Sequence, residues 1–243
     1  AHIGVIKALL ESGIHFSAIS GTSSGALIAA LFCDGYSPDE ITEICREALP
    51  LTHINIHFTQ SLLSNSSMRS LLEKYLKNKT FEELPLPLFV SLTDLDTGKQ
   101  VVVNKGNLIE TLIASASVPI LFSPAKIEGK YYVDGGMSNN LPVEPFIDSD
   151  LKTIGVHVNP VSPYNSSLSM LQQFERVVHL GIYGNVVRST RNVDLLIEPE
   201  ELKDYSLFDT KKIDQIIRIG YGYVKLHVNT DVLKTTSVGK HIK

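Results

Sequence analysis

Residues 21–25 read Gly-Thr-Ser-Ser-Gly, a G-x-S-x-G pattern with Ser23 at its centre. A serine hydroxyl is a poor nucleophile until a neighbour takes its proton, and this pattern does acyl chemistry only on a sharp strand-to-helix turn. Such a turn strains the serine backbone and crowds what lies next to it, so Gly21 and Gly25 supply positions without a Cβ. It also leaves Ser23 at a helix N-terminus, where unbonded N–H groups and the helix dipole favour developing negative charge. The Ser24 N–H is the candidate to face that charge. The same five residues would equally suit a Gly/Ser-rich loop in which Thr22, Ser23 or Ser24 merely caps a helix.

A nucleophilic serine needs a base. A lipase-type order of serine, acid and then histidine offers His157, His179, His227 and His241 as late candidates. His157 falls in an apolar strand-like run, His179 and His227 in amphipathic helical patterns, and His241 in the tail. None follows a strand on a turn-rich loop, so each reads as a surface or internally satisfied histidine. His53 and His57 have i, i+4 spacing but lack a neighbouring Glu and a third ligand, so no metal site is expected. No organic cofactor is implied either. The remaining candidate is Asp134 in Tyr131-Tyr132-Val133-Asp134-Gly135-Gly136. It ends a strand-like run, and Gly135 and Gly136 would let another backbone approach closely. Taken alone, Asp-Gly-Gly is also an ordinary turn.

The elements that must position these residues follow from hydrophobic periodicity. Ile3, Ile6, Leu9 and Leu10 recur at helical spacing until Gly13. A strand over 16–20 leads into the Gly-Thr-Ser-Ser-Gly turn, and the Ala- and Leu-rich run 26–33 predicts a buried helix. Helices are expected at 38–49 and 68–76, separated by a long loop over 50–67. Strand-like runs at 88–93 and 99–104 are joined by Asp96-Thr97-Gly98, a turn signal. A short helix at 108–116, a hairpin over 127–133 and a strand at 151–158 come next. Amphipathic helices at 168–188 and 211–228 enclose a strand at 194–197. Alternation of strands and helices predicts one α/β domain with a largely parallel sheet.

Composition narrows the function classes. The 243 residues are 43% hydrophobic and 20% charged, enough apolar side chains to build a core. A net charge of −4 and a pI near 6.1 argue against a nucleic-acid surface. The longest apolar run, 26–33, is far short of the roughly 18 residues of a membrane span. Cys33 and Cys45 read as buried apolar residues. Residues 1–13 lack the basic start and cleavage pattern of a signal peptide, so a cytoplasmic location is expected.

Taken together, the motifs carry a resemblance. Gly21–Gly25 followed by Ala26-Leu27, then Ala114-Ser115-Ala116-Ser117-Val118-Pro119 with Phe122 and Pro124, then Asp134-Gly135-Gly136 with Asn139, Asn140 and Pro142, resemble the patatin-like phospholipase family in order and spacing. Thr93-Asp94 with Thr97-Gly98 is similar to a further segment of such proteins. The resemblance runs to about Pro160. It implies a three-layer α/β/α fold with a mostly parallel central sheet and a helical portion over 160–243. It also implies a Ser–Asp dyad without histidine, Ser23 as nucleophile and Asp134 as base, with Gly135 and Gly136 in support. The implied substrates are lipid esters such as phospholipids or lysophospholipids, met through peripheral membrane contact. The alternatives are a non-catalytic lipid-binding or scaffold relative and a histidine-dependent hydrolase. Family members carry a first strand and a Gly-rich oxyanion loop ahead of the helix that begins here at Ala1-His2, and truncation of that part is expected. Leu51, Ile54, Ile56, Phe58, Leu62 and Leu63 would form either a lid or packing beneath the 50–67 loop.

Overall fold

A computed structural model describes residues 1–48, 65–119, 121–164, 170–205 and 212–233. The 50–67 loop, its apolar residues and both His53 and His57 lie largely or wholly outside these. The chain divides into two compact units, Phe16–Pro142 and Ala1–His15 with Val143–Lys243. The first helix, α1 (His2–Glu11), belongs to the second unit.

The Phe16–Pro142 unit contains β1 (Ile19–Gly21), α2 (Ser23–Cys33), α3 (Pro38–Ala48), α4 (Asn65–Tyr75), β2 (Leu88–Asp94), β3 (Gln100–Val103), α5 (Leu108–Ser115), β4 (Ala125–Ile127) and β5 (Lys130–Asp134). Its five strands form one sheet built around β2. The α/β class stands, but the sheet is mixed rather than mostly parallel. Only β1 runs parallel to β2, whereas β2–β3, β2–β5 and β4–β5 are antiparallel. The physical reason lies in the connections. Short turns join β2 to β3 and β4 to β5, and a short turn cannot return a chain in parallel. The β4–β5 turn is Glu128-Gly129, both with positive φ (48° and 87°), the pairing that matches the twist of its two strands.

The registers fix where the strands end. Val90 pairs with both Gly21 and Val103, and Leu92 pairs with both Val101 and Asp134. A strand has two edges, so β3 occupies one edge of β2 while β1 and β5 share the other. β1 ends opposite Val90 and β5, running the other way, ends opposite Leu92. Their C-terminal ends therefore converge on Ser91.

Helices α2 and α5 pack on this sheet and on one another. Six of the seven residues of β2 are buried, so its sequence shows no alternation. Leu88, Val90 and Leu92 are buried in the core, as are Ala26 and Ala30 of α2 and Leu108, Leu112 and Ile113 of α5. Asn107 caps α5, its Oδ1 accepting the Glu110 N–H at 3.0 Å. A 3-10 turn at Phe81–Glu83, closed by a Thr80/Glu83 capping box, was not foreseen in the sequence.

The second unit contains α1, β6 (Ile154–Val156), α6 (Met170–Ser189), β7 (Leu195–Ile197) and α7 (Ile213–His227). β6 and β7 pair in parallel. α1 lies so close on α7 that a Cβ on Gly4 would stand 2.0 Å from the Ile217 carbonyl oxygen. At the far end of α1, Glu11 accepts the Tyr221 hydroxyl at 2.7 Å and pairs with Lys225 at 3.0 Å. Among the described residues, no helix is long and apolar enough to cross a membrane.

Candidate functional site

Ser23 opens α2 directly after β1. Thr22 is extended (φ −135°, ψ 150°), and Ser23 then turns to φ 52°, the left-handed region that costs a serine about 1–3 kcal/mol. The turn is tight because β1 runs straight into α2. A Cβ on Gly21 would lie 2.9 Å from both the Cα and the N of Ala26. Ser23 is half-buried and Ser24 exposed. The Ser23 N–H donates to Ser115 Oγ at 3.0 Å. The N–H groups of Ser24 and Gly25 fall in the first helical turn, where α2 offers no acceptor of its own.

Asp134 is the last residue of β5 and is 6% exposed. Its N–H donates to the Ser117 carbonyl at 2.9 Å, and its carbonyl accepts the Thr93 hydroxyl at 2.8 Å. Carboxylate Oδ1 accepts the Gly136 N–H at 2.8 Å, while Oδ2 is buried with no hydrogen-bond partner. Burial raises this carboxyl from 3.8 to about 6, against the opposing influence of the Ser23 hydroxyl and the Gly136 N–H. The Ser23 hydroxyl thus stands near enough to favour the charged carboxylate, yet Oδ2 closes no hydrogen bond. The pair is adjacent but not locked.

The sheet explains the adjacency. A Cβ on Gly135 would lie 2.1 Å from the Ser91 carbonyl oxygen and 2.3 Å from Thr22 Oγ1. Only a residue without a side chain lets the Asp134 turn reach the Ser23 turn. Gly136 is also close-packed, with a Cβ there 2.8 Å from Asn140 Oδ1. Asn139 is buried and accepts the Leu141 N–H at 3.0 Å, shaping the chain beyond the turn.

Two contributors stand within the motifs that carry the resemblance, which assigned neither of them a role. Ser115, which is 0% exposed, donates to the Ser91 carbonyl at 2.8 Å while accepting from Ser23. Thr93 contacts Ser138 Oγ at 2.8 Å as well as the Asp134 carbonyl. Alternation patterns and motif spacing do not reveal what such hydroxyls do, because their roles depend on residues far away in the chain. Asp94, by contrast, serves its own hairpin. It accepts the N–H groups of Asp96 and Thr97 at 3.0 and 2.9 Å, which hold its carboxyl below the usual range.

The described late histidines belong to the second unit and have partners there. His157 follows β6, is 2% exposed and shares 2.7 Å with Glu198 Oε1, and burial lowers its pKa. His179 Nε2 lies 2.6 Å from the Asn159 carbonyl, and the His227 ring lies tilted against Tyr223 with centroids 5.1 Å apart. His241 lies outside the described residues. No group of three or more metal-ligating side chains occurs among the described residues.

Comparison with known proteins identifies the family and fold of the chain. The family model described as patatin-like phospholipase matches residues 1–147. An uncharacterised NTE family protein of Mycobacterium tuberculosis is 32% identical over 146 residues, 58% of this chain and 25% of that protein. The human patatin-like phospholipase domain-containing protein 6 is 27% identical over 265 residues, 93% of this chain and 19% of that protein. The chain thus spans a quarter or less of these two relatives. VipD from Legionella pneumophila shares the fold, with a TM-score of 0.56 at 14% identity over 98% of this chain and 69% of that one. With more than half of its length matched by the family model, the chain belongs to the patatin-like phospholipase family.

Proposed function

We propose that this chain is a serine acyl hydrolase of lipid esters, resembling a phospholipase A or lysophospholipase, with Ser23 as nucleophile and Asp134 as its base. The observation that carries this reading is the left-handed Ser23 at a strand-to-helix turn, beside a buried carboxylate whose Oδ2 has no partner. Asp134 takes the hydroxyl proton as Ser23 Oγ bonds to the ester carbonyl carbon. The carbonyl oxygen becomes an oxyanion at the N-terminus of α2, within reach of the Ser24 and Gly25 N–H groups. Collapse breaks the ester C–O bond, and protonated Asp134 returns its proton to the leaving alcohol. Water then releases the acyl group with Asp134 again as base. A carboxyl at about 6 is a stronger base than one at 3.8, which favours this role near neutral pH. Lipid esters reside in bilayers, so peripheral contact with a membrane surface is part of the proposal.

Hydrolysis of short-chain nitrophenyl esters by wild type, Ser23→Ala and Asp134→Asn tests this. Both variants are expected to lose at least about 10³-fold in kcat/KM. Wild-type activity should rise with pH through a midpoint near 6. Activity retained by either variant would remove the dyad. Failure of wild-type Ser23 to react with a fluorophosphonate would favour a non-catalytic lipid-binding relative.

A further inference from the structure

We infer that Ser115 is a positioning residue for Ser23, its hydroxyl holding the nucleophile's backbone in the reactive turn. The inference rests on the Ser23–Asp134 reading above and extends it to a residue outside the dyad. Ser115 Oγ accepts the Ser23 N–H at 3.0 Å and donates to the Ser91 carbonyl at 2.8 Å. A hydroxyl can accept and donate at once, which no aliphatic side chain can do. Ser115 is 0% exposed, so no water competes for either bond.

The location gives the bond its leverage. Ser91 is the point on β2 where the ends of β1 and β5 converge, and its carbonyl oxygen also abuts Gly135. Two residues beyond Ser115, the Ser117 carbonyl accepts the Asp134 N–H at 2.9 Å. The end of α5 therefore clasps both members of the pair, Ser23 through a side chain and Asp134 through the backbone. A left-handed serine relaxes unless its surroundings over-determine it. Ser115 supplies that constraint at the amide of the strained residue itself. The nucleophile's distance to the carboxylate is thus set from α5 as well as from the elbow glycines.

Two measurements on the full chain test this, with Ser115→Ala compared against wild type and Thr111→Val. Thr111 is a matched control, since it is also buried on α5 and its hydroxyl donates locally, to the Asn107 carbonyl one turn back at 2.8 Å. The first measurement is the second-order rate of fluorophosphonate labelling at Ser23. The second is amide hydrogen exchange of Ser23 in unlabelled protein. Ser115→Ala is expected to label about 10–100-fold slower, the scale of a misplaced reacting group. Its Ser23 amide should exchange at least about 10-fold faster, because the amide has lost its acceptor. Thr111→Val should match wild type in both. A Ser115→Ala protein that labels at the wild-type rate, or keeps the Ser23 amide protected, overturns the inference. If wild type itself does not label, the hydrolase reading fails and the exchange contrast alone decides the role of Ser115. Should Ser115→Ala not fold, Ser115→Cys keeps a weak acceptor and is expected to fall between the two, whereas wild-type behaviour in it would refute the role.

Discussion

Burial raises the Asp134 carboxyl from 3.8 to about 6, and that shift acts on folding as well as on chemistry. Between those two pH values the folded chain holds a proton that the unfolded chain has released. Stability from this group is therefore greatest at low pH and falls as pH rises through the window. By neutral pH the ionised, buried carboxylate costs on the order of 2–3 kcal/mol. Asp134→Asn removes the charge and keeps an oxygen for the Gly136 N–H. The variant should melt at or above the wild-type temperature at pH 8, with the difference shrinking toward pH 4. Thermal unfolding across that range measures it, and an Asn variant less stable than wild type at pH 8 would contradict the burial account. At this scale Ser23 was legible as a candidate from the local Gly-x-Ser-x-Gly pattern, whereas Asp-Gly-Gly alone reads as a turn and Asp134 was legible as a candidate through the family resemblance. The roles of Ser115 and Thr93 were not, although both stand in the quoted motifs, since their partners lie 92 and 41 residues away.

Strand ends decide what meets what at the level of elements. β1 and β5 stop on either side of Ser91, and Gly135 is the most closely packed glycine of the junction. Gly135→Ala forces its Cβ into the Ser91 carbonyl and Thr22 Oγ1, so the backbone itself must move. A loss of about 2–4 kcal/mol is expected, together with the loss of most esterase activity. Urea unfolding and ester hydrolysis on the same preparation check both parts; wild-type values would mean that the two turns do not touch. The β4–β5 turn gives the opposite case. Glu128 holds φ 48° on an exposed hairpin, and Glu128→Asn creates the Asn-Gly pair that this turn prefers. It should stabilise the protein by about 0.5–1 kcal/mol with unchanged activity, read as a shift in the urea midpoint. Helices α1, α6 and α7 were legible from their 3.6 periodicity and the hairpin over 127–133 from its turn residues, whereas the mixed sheet as a whole was missed because alternation of strands and helices speaks only to order along the chain. The hairpin turns at 95–99 and 128–129 were the available signal for it.

For the whole molecule, the chain's first fifteen residues belong with its C-terminal portion, an assignment that no local pattern announces. Gly4 makes the α1–α7 contact possible, since a Cβ there would stand 2.0 Å from the Ile217 carbonyl oxygen and 2.7 Å from the Tyr221 amide. Gly4→Ala should lower the melting temperature by several degrees despite its better helix propensity. A variant as stable as wild type would show that α1 does not lie against α7. The sequence by itself determined the family and the α/β class, and it pointed to Ser23 and Asp134 as the pair proposed for acyl chemistry, with the glycines around them. These rest on residue types at fixed short spacings, which constrain local geometry directly. Only the tertiary structure decided the mixed sheet, the meeting of β1 and β5 at Ser91, the clasp from α5 and the partners of the late histidines. Each of those depends on contacts between residues remote in sequence, where the free energy of packing selects one arrangement among many that the same local patterns allow.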